Sequence, residues 1–99
     1  MAVVEVSITP LGTATPSVSE FVAGCLKLVK ASGLKYQLTP MGTVIEGDLD
    51  SILRVVHQMH EAPFKAGAMR VSTLIKIDDR RDRPAHTMAD KMRAVEEKL

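Results

Sequence analysis

The chain has 99 residues, 45% of them hydrophobic, with 13 Lys and Arg against 12 Asp and Glu for a formal charge of +1. It therefore holds one domain, residues 1–99, and carries no basic footprint for nucleic acid or an anionic membrane. No apolar run approaches the roughly 20 residues that cross a bilayer, the opening MAVVEVSITPLG has neither a basic leader nor a long apolar stretch, and the single Cys25 excludes an internal disulfide, so a cytoplasmic location is the expectation.

In chain order, Val4, Val6 and Ile8 alternate with Glu5, Ser7 and Thr9, the period of a half-buried strand, which Pro10 and Gly12 end. Beyond Pro16, Ser17 and Glu20 have capping-box spacing, and Val18, Phe21, Val22, Cys25, Leu28 and Val29 recur at three and four residues. This spacing predicts an amphipathic helix closed at Gly33 by a left-handed cap. Leu34, Tyr36 and Leu38 alternate with Lys35 and Gln37 in a second strand, and Pro40-Met41-Gly42 reads as a turn into a return strand from Thr43 to Gly47. Asp48 or Asp50 caps a second helix whose buried stripe is Leu49, Ile52, Leu53, Val56 and Met59, with Pro63 as its stop. Val71, Thr73, Ile75 and Ile77 alternate through a fourth strand, and DDRRDRP (78–84) is a solvated loop. Thr87 with Asp90 starts a last short helix with Met88, Met92 and Val95 on one side.

The order βαββαβ plus a terminal helix is that of an α+β, ferredoxin-like fold, a four-stranded antiparallel sheet with helices on one face. Strand residues alternate between faces, so a second set forms an open face. With Val6, Tyr36, Ile45 and Ile75 toward the helices, that face holds Glu5, Ser7, Thr9, Gln37, Val44, Glu46, Arg70, Ser72 and Leu74. Glu46 needs a reason, because a carboxylate buried without a partner is costly; it meets Arg70 across the sheet or between subunits, a ligand, or both. Val44 and Leu74 on a bare sheet face predict self-association.

The stretches SITPLG (7–12), GLKYQLTPMGTVIEGDLD (33–50), HEAPFKAGAMRV (60–71) and IDDRRDRP (77–84) resemble those of the small thiamine-binding proteins, relatives of the YkoF-type proteins that bind thiamine or its hydroxymethylpyrimidine half. The likeness runs over nearly the whole chain, with Pro63 as a departure that bears on the end of the second helix. The resemblance implies a ferredoxin-like subunit, assembly into dimers or dimers of dimers, and ligand binding without catalysis or a cofactor.

The open face has chemistry for such a ligand. An aminopyrimidine needs an acceptor for its amino group and hydroxyl or amide partners for its ring nitrogens. Glu46, Ser7, Gln37 and Thr43 supply those types, Thr9, Arg70 and Ser72 adjoin them, and Met41 with Val44 and Leu74 gives apolar walls in a chain short of aromatics. Each residue also has a plainer reading: Glu46 and Arg70 as an ion pair, the hydroxyls as small polar filler, PMGT as a hairpin alone. His57, His60 and Glu61 share a helix face, but no further metal ligand has convincing spacing, so they read as a solvated polar face, and Cys25 on a buried stripe is an inert core thiol. The 78–83 charges form a surface loop, a subunit tie or a phosphate contact. Besides the binding module, two other classes remain: a structural or regulatory oligomerisation domain, and a small acid/base enzyme using Glu46 and Arg70, a weak catalytic set.

Overall fold

The computed structural model describes residues 1–12, 19–82 and 88–99. Its elements are β1 (Ala2–Leu11), α1 (Ser19–Ser32), β2 (Lys35–Thr39), β3 (Gly42–Gly47), α2 (Leu49–Lys65), β4 (Arg70–Asp79) and α3 (Met88–Glu96). The strands form one antiparallel sheet in the order β2-β3-β1-β4, the ferredoxin-like arrangement that the element order predicts. The proposed caps at Ser17 and Thr87, Val18 of the first helical stripe, and the loop from Arg83 onward lie outside the described residues.

Register fixes the two faces. Val4 opposes Ile45 and Ile77, and Val6 opposes Thr43 and Ile75; this set meets α1 and α2. Val29 and Cys25 from α1 and Ile52, Val55, Val56 and Met59 from α2 complete the core. The helices cover the middle of the sheet and leave its edges wet, so Tyr36, Ile75 and Ile77 point toward the helix side yet stay partly exposed. Leu53 is partly exposed for the same reason, and Val55 takes the buried place beside Ile52 and Val56.

Two boundaries differ from the sequence reading. Pro10 does not end β1, which pairs with β4 as far as Leu11 opposite Arg70; β1 has no β3 partner beyond Val6, so the missing N–H of Pro10 costs no ladder bond on that side. Pro63 does not stop α2 either. Its ring deprives the Met59 carbonyl, one turn back, of a backbone donor, and the Cys25 thiol donates to that carbonyl instead at 3.4 Å. The helix ends two residues later in a Schellman cap: Ala68 N–H reaches the Pro63 carbonyl, Gly67 N–H reaches that of Phe64, and Gly67 has φ 103°. At the other end the Asp48 carboxylate accepts from Ser51 N–H, as its position before the helix predicts.

Removing the thiol leaves a buried carbonyl unsatisfied. Cys25→Ala is expected to lower the unfolding free energy by about 1–2 kcal/mol in urea melts, and by less in a Pro63→Ala background, where the helix regains its own N–H for Met59. Burial pushes the Cys25 thiol above its ordinary 9.0. The neutral thiol's contribution is therefore complete below about pH 9 and is lost as pH rises beyond it, a fall in wild-type stability that Cys25→Ala should lack.

Candidate functional site

The two ladders of β1 have unequal lengths, and a cavity opens where they part. Pairing with β3 ends at Val6 opposite Thr43, while pairing with β4 continues through Ser7, Ile8, Thr9 and Pro10. The β2–β3 turn sits beside this unpaired stretch. Thr39 Oγ1 accepts from the N–H groups of Met41 and Gly42 and donates to the Gly42 carbonyl, locking a tight turn in which Pro40 supplies its fixed φ. Gly42 is pressed onto β1, since a Cβ there would lie 2.7 Å from the Val6 oxygen. That carbonyl therefore points toward β3. Backbone direction alternates along a strand, so the N–H and C=O of Ile8 point the same way, past the end of the ladder and with no partner among the described strands.

The resulting cavity, about 340 Å³, lies between β1, the turn, and the roof formed by Val22 and Cys25 of α1 with Met59 of α2. Its walls are mainly apolar, and Ser7, Thr9, Thr39 and Thr43 bring hydroxyl-bearing residues to it. Thr43 is only 6% exposed, faces the helices beside Val6, and its hydroxyl has no hydrogen bond among the described residues. The Cys25 thiol at the same wall is neutral and already bonded to Met59.

The eight candidate residues thus divide. Ser7, Thr9, Met41 and Thr43 border the cavity; Gln37, Glu46, Arg70 and Ser72 do not. Glu46 and Arg70 do not meet within the chain. Glu46 opposes Val3 and Arg70 opposes Leu11, at opposite ends of β1. At roughly 3.3 Å per residue they stand about 26 Å apart. Missed by sequence reasoning were the backbone of Ile8 and the α1 and α2 wall of the cavity; the one available signal was Pro10 in a strand, which marks a stretch free of one ladder.

Glu46 has a different partner. It is 5% exposed, and its carboxylate accepts from Met88 N–H at 2.8 Å, at the start of α3, with the Lys35 ammonium 3.9 Å away. Lys35 is largely exposed and adds little, so the helix terminus, with its unpaired N–H groups and positive dipole end, is what makes this burial tolerable. Lys91 further along α3 pairs with Asp78 on β4. The last helix therefore lies across the face that α1 and α2 leave open, rather than joining them. Beneath it a smaller cavity of about 190 Å³ is lined by Val3, Glu5, Val44, Lys76, Asp78 and Lys91.

His57 pairs with Glu61 at 3.5 Å, whereas His60 turns to Thr73 Oγ1 at 2.6 Å and packs in a T-shaped arrangement with the Phe64 ring. Among the described residues no group of three or more His, Cys, Asp or Glu is placed to hold a metal ion. None of the described helices is long and apolar enough to cross a membrane.

Comparison with known proteins adds the family. Residues 4–96 match the family model described as thiamine-binding protein. The chain is 48% identical to the UPF0045 protein YqgV of Bacillus subtilis, covering 100% of this chain and 98% of that protein. It superposes on the crystal structure of hypothetical protein MJ1052 from Methanocaldococcus jannaschii with a TM-score of 0.86 at 40% identity, over 97% of this chain and 96% of that one. A proposed thiamine biosynthesis/salvage protein of Thermotoga maritima, TM0486, shares the fold with a TM-score of 0.78 at 19% identity, over 95% and 97% of the two chains. The chain belongs to the thiamine-binding protein family.

If the Glu46 carboxylate is what holds α3, Glu46→Ala should speed amide hydrogen exchange in residues 88–96 by about tenfold, the loss of a side-chain cap. Val4, Val6 and Ile45 should keep their protection. Equal protection of α3 in the variant and the parent would remove the cap from the account.

Proposed function

We propose that this member of the thiamine-binding protein family binds thiamine, or its hydroxymethylpyrimidine half, in the cavity between β1 and the β2–β3 turn. On this reading the chain is a cytoplasmic carrier in vitamin storage, delivery or salvage, assembled as a dimer or dimer of dimers, and it binds without turnover. The observation that carries the proposal is the end of the β1–β3 ladder. It leaves the N–H and C=O of Ile8 side by side at the cavity, and an aminopyrimidine presents the complementary edge, a ring-nitrogen acceptor next to an amino donor. The Thr43 hydroxyl serves a further ring nitrogen or the hydroxymethyl group, while Val6, Leu38 and Met59 flank the ring.

The cavity volume lies near the lower end of the range for small-molecule pockets, about 300–1,000 Å³, which suits one ring inside with the rest of thiamine at the mouth, where Met41 is 80% exposed. Hydroxyls, apolar walls and an engaged neutral thiol are a set for holding a ring rather than for moving protons. Membership of the family supports the ligand class.

Thermal-shift titration with thiamine, hydroxymethylpyrimidine, thiamine phosphates and an unrelated heteroaromatic tests the reading, because a ligand that binds only the folded chain raises its melting temperature by mass action. A saturable shift with at least one pyrimidine compound is expected. Thr43→Val, which keeps the volume and removes the hydroxyl, should weaken it about fivefold, the loss of roughly one net hydrogen bond. None of the described residues lining the cavity is aromatic, so micromolar rather than nanomolar affinity is expected by calorimetry. Absence of any shift on folded protein would sink the ligand assignment.

A further inference from the structure

None of the described residues lining the cavity between β1 and the β2–β3 turn is Lys, Arg, His, Asp or Glu. Its polar groups are hydroxyls and backbone, and the Cys25 thiol is neutral and committed to the Met59 carbonyl. On the neighbouring β4, Arg70 and Lys76 stand opposite Leu11 and Glu5, positions that by parity belong to the face away from the helices. Residues 13–18 contain no charged side chain. One feature there favours an anion, the N-terminal end of α1, whose Val22 reaches the cavity; Glu20 in the first turn of that helix already offsets the positive dipole end.

Such a site reads the charge of its ligand. Moving an ion from water onto a neutral, mainly apolar wall is costly unless the wall supplies a partner, and these walls supply none. The ring of hydroxymethylpyrimidine is uncharged, and its amino edge matches the Ile8 N–H and C=O. The hydroxymethyl carbon is also the atom that carries the thiazolium in thiamine, so in both compounds this arm leaves the ring at the mouth. Met41 stands there, 80% exposed, on a turn whose backbone is held by the Thr39 hydroxyl. A phosphate ester of the hydroxymethyl group would bring its negative charge to the edge of the buried ring, partly out of water and without a cation. The phosphates of thiamine are different, because they hang from the far side of the thiazolium and remain in solvent.

We propose that the cavity selects its ligand by charge: it takes the pyrimidine as the free alcohol or as thiamine, excludes the phosphate ester of the alcohol, and reads charge at the position of Met41. The inference rests on the ligand reading above and narrows it. It also places the chain before any phosphoryl transfer to the hydroxymethyl group. A kinase-type reaction would consume what this chain releases, and its product would not return to the site.

Calorimetric titration at low ionic strength, where exposed charges are felt most, tests the selection with four compounds: hydroxymethylpyrimidine, its phosphate ester, thiamine and thiamine diphosphate. The ester should bind at least about tenfold more weakly than the alcohol, whereas thiamine and its diphosphate should agree within about threefold. Met41→Lys should narrow the gap between alcohol and ester by about threefold and weaken thiamine relative to the alcohol, and Met41→Glu should move both ratios the other way. Added salt should shrink these changes. An ester that binds as tightly as the alcohol, or charged side chains at Met41 that leave both ratios unmoved, would overturn the charge selection while the ligand reading stands on the bound alcohol. Failure of the alcohol and thiamine alike to bind would end both.

Discussion

β1 is paired on both sides only as far as Val6, and the chemistry of the molecule follows from where that double pairing stops. The limit is set by the β2–β3 hairpin. Its turn is closed by the Thr39 hydroxyl, and its first β3 residue is a glycine pressed against the Val6 carbonyl. A longer hairpin would extend the ladder over Ile8 and fill the cleft with backbone. Because the hairpin is short, the second half of β1 hangs from β4 alone, tolerates Pro10, and keeps a donor and an acceptor directed at a space roofed by α1 and α2.

The roof depends on a defect in α2. Pro63 removes one helical bond near the end of that helix, and the Met59 carbonyl so released is met by the Cys25 thiol. One contact thus ties the two helices together at the wall of the cavity, and it requires the thiol to stay protonated, which burial favours. A cysteine of this kind is a structural donor. Its high thiol pKa, its burial and its bonded state all oppose nucleophilic use.

Much of this was legible in the sequence. Alternation in Val4, Val6 and Ile8, the stripe of α2, the Asp48 cap and the glycine at Gly33 reflect local periodicity and capping, and those rules gave the element order and the ferredoxin-like sheet. Face assignment also held, since it needs only parity once strands are paired. What parity does not give is position along the strand. Glu46 and Arg70 share a face yet stand at its two ends, and only the register reveals it. Nor does periodicity say on which side a terminal helix will dock; the docking of α3 rests on contacts between residues far apart in sequence, the Glu46 carboxylate with Met88 N–H and Asp78 with Lys91. The continuation of α2 past Pro63 was hidden for a related reason, because its compensation comes from another helix, and the Gly67 cap that ends it was passed over once Pro63 was taken as the stop.

The sheet therefore has two differently finished ends. Near Val3 and Glu46, α3 lies across the open face, fastened by one amide–carboxylate bond and the Lys91–Asp78 pair, and none of its described residues is fully buried. Near Ile8 and Thr43 the cavity lies on the other face, with Val6, Cys25 and Met59 of the core in its wall. Groups so separated, with no shared partner, contribute to stability almost independently. Loosening α3 is a local opening that leaves the core strands protected, whereas anything held between β1, Thr43 and Met59 is coupled to the global unfolding of the domain. The Glu46 carboxylate thus belongs to the end of the sheet where α3 docks, away from the cavity at Ile8 and Thr43.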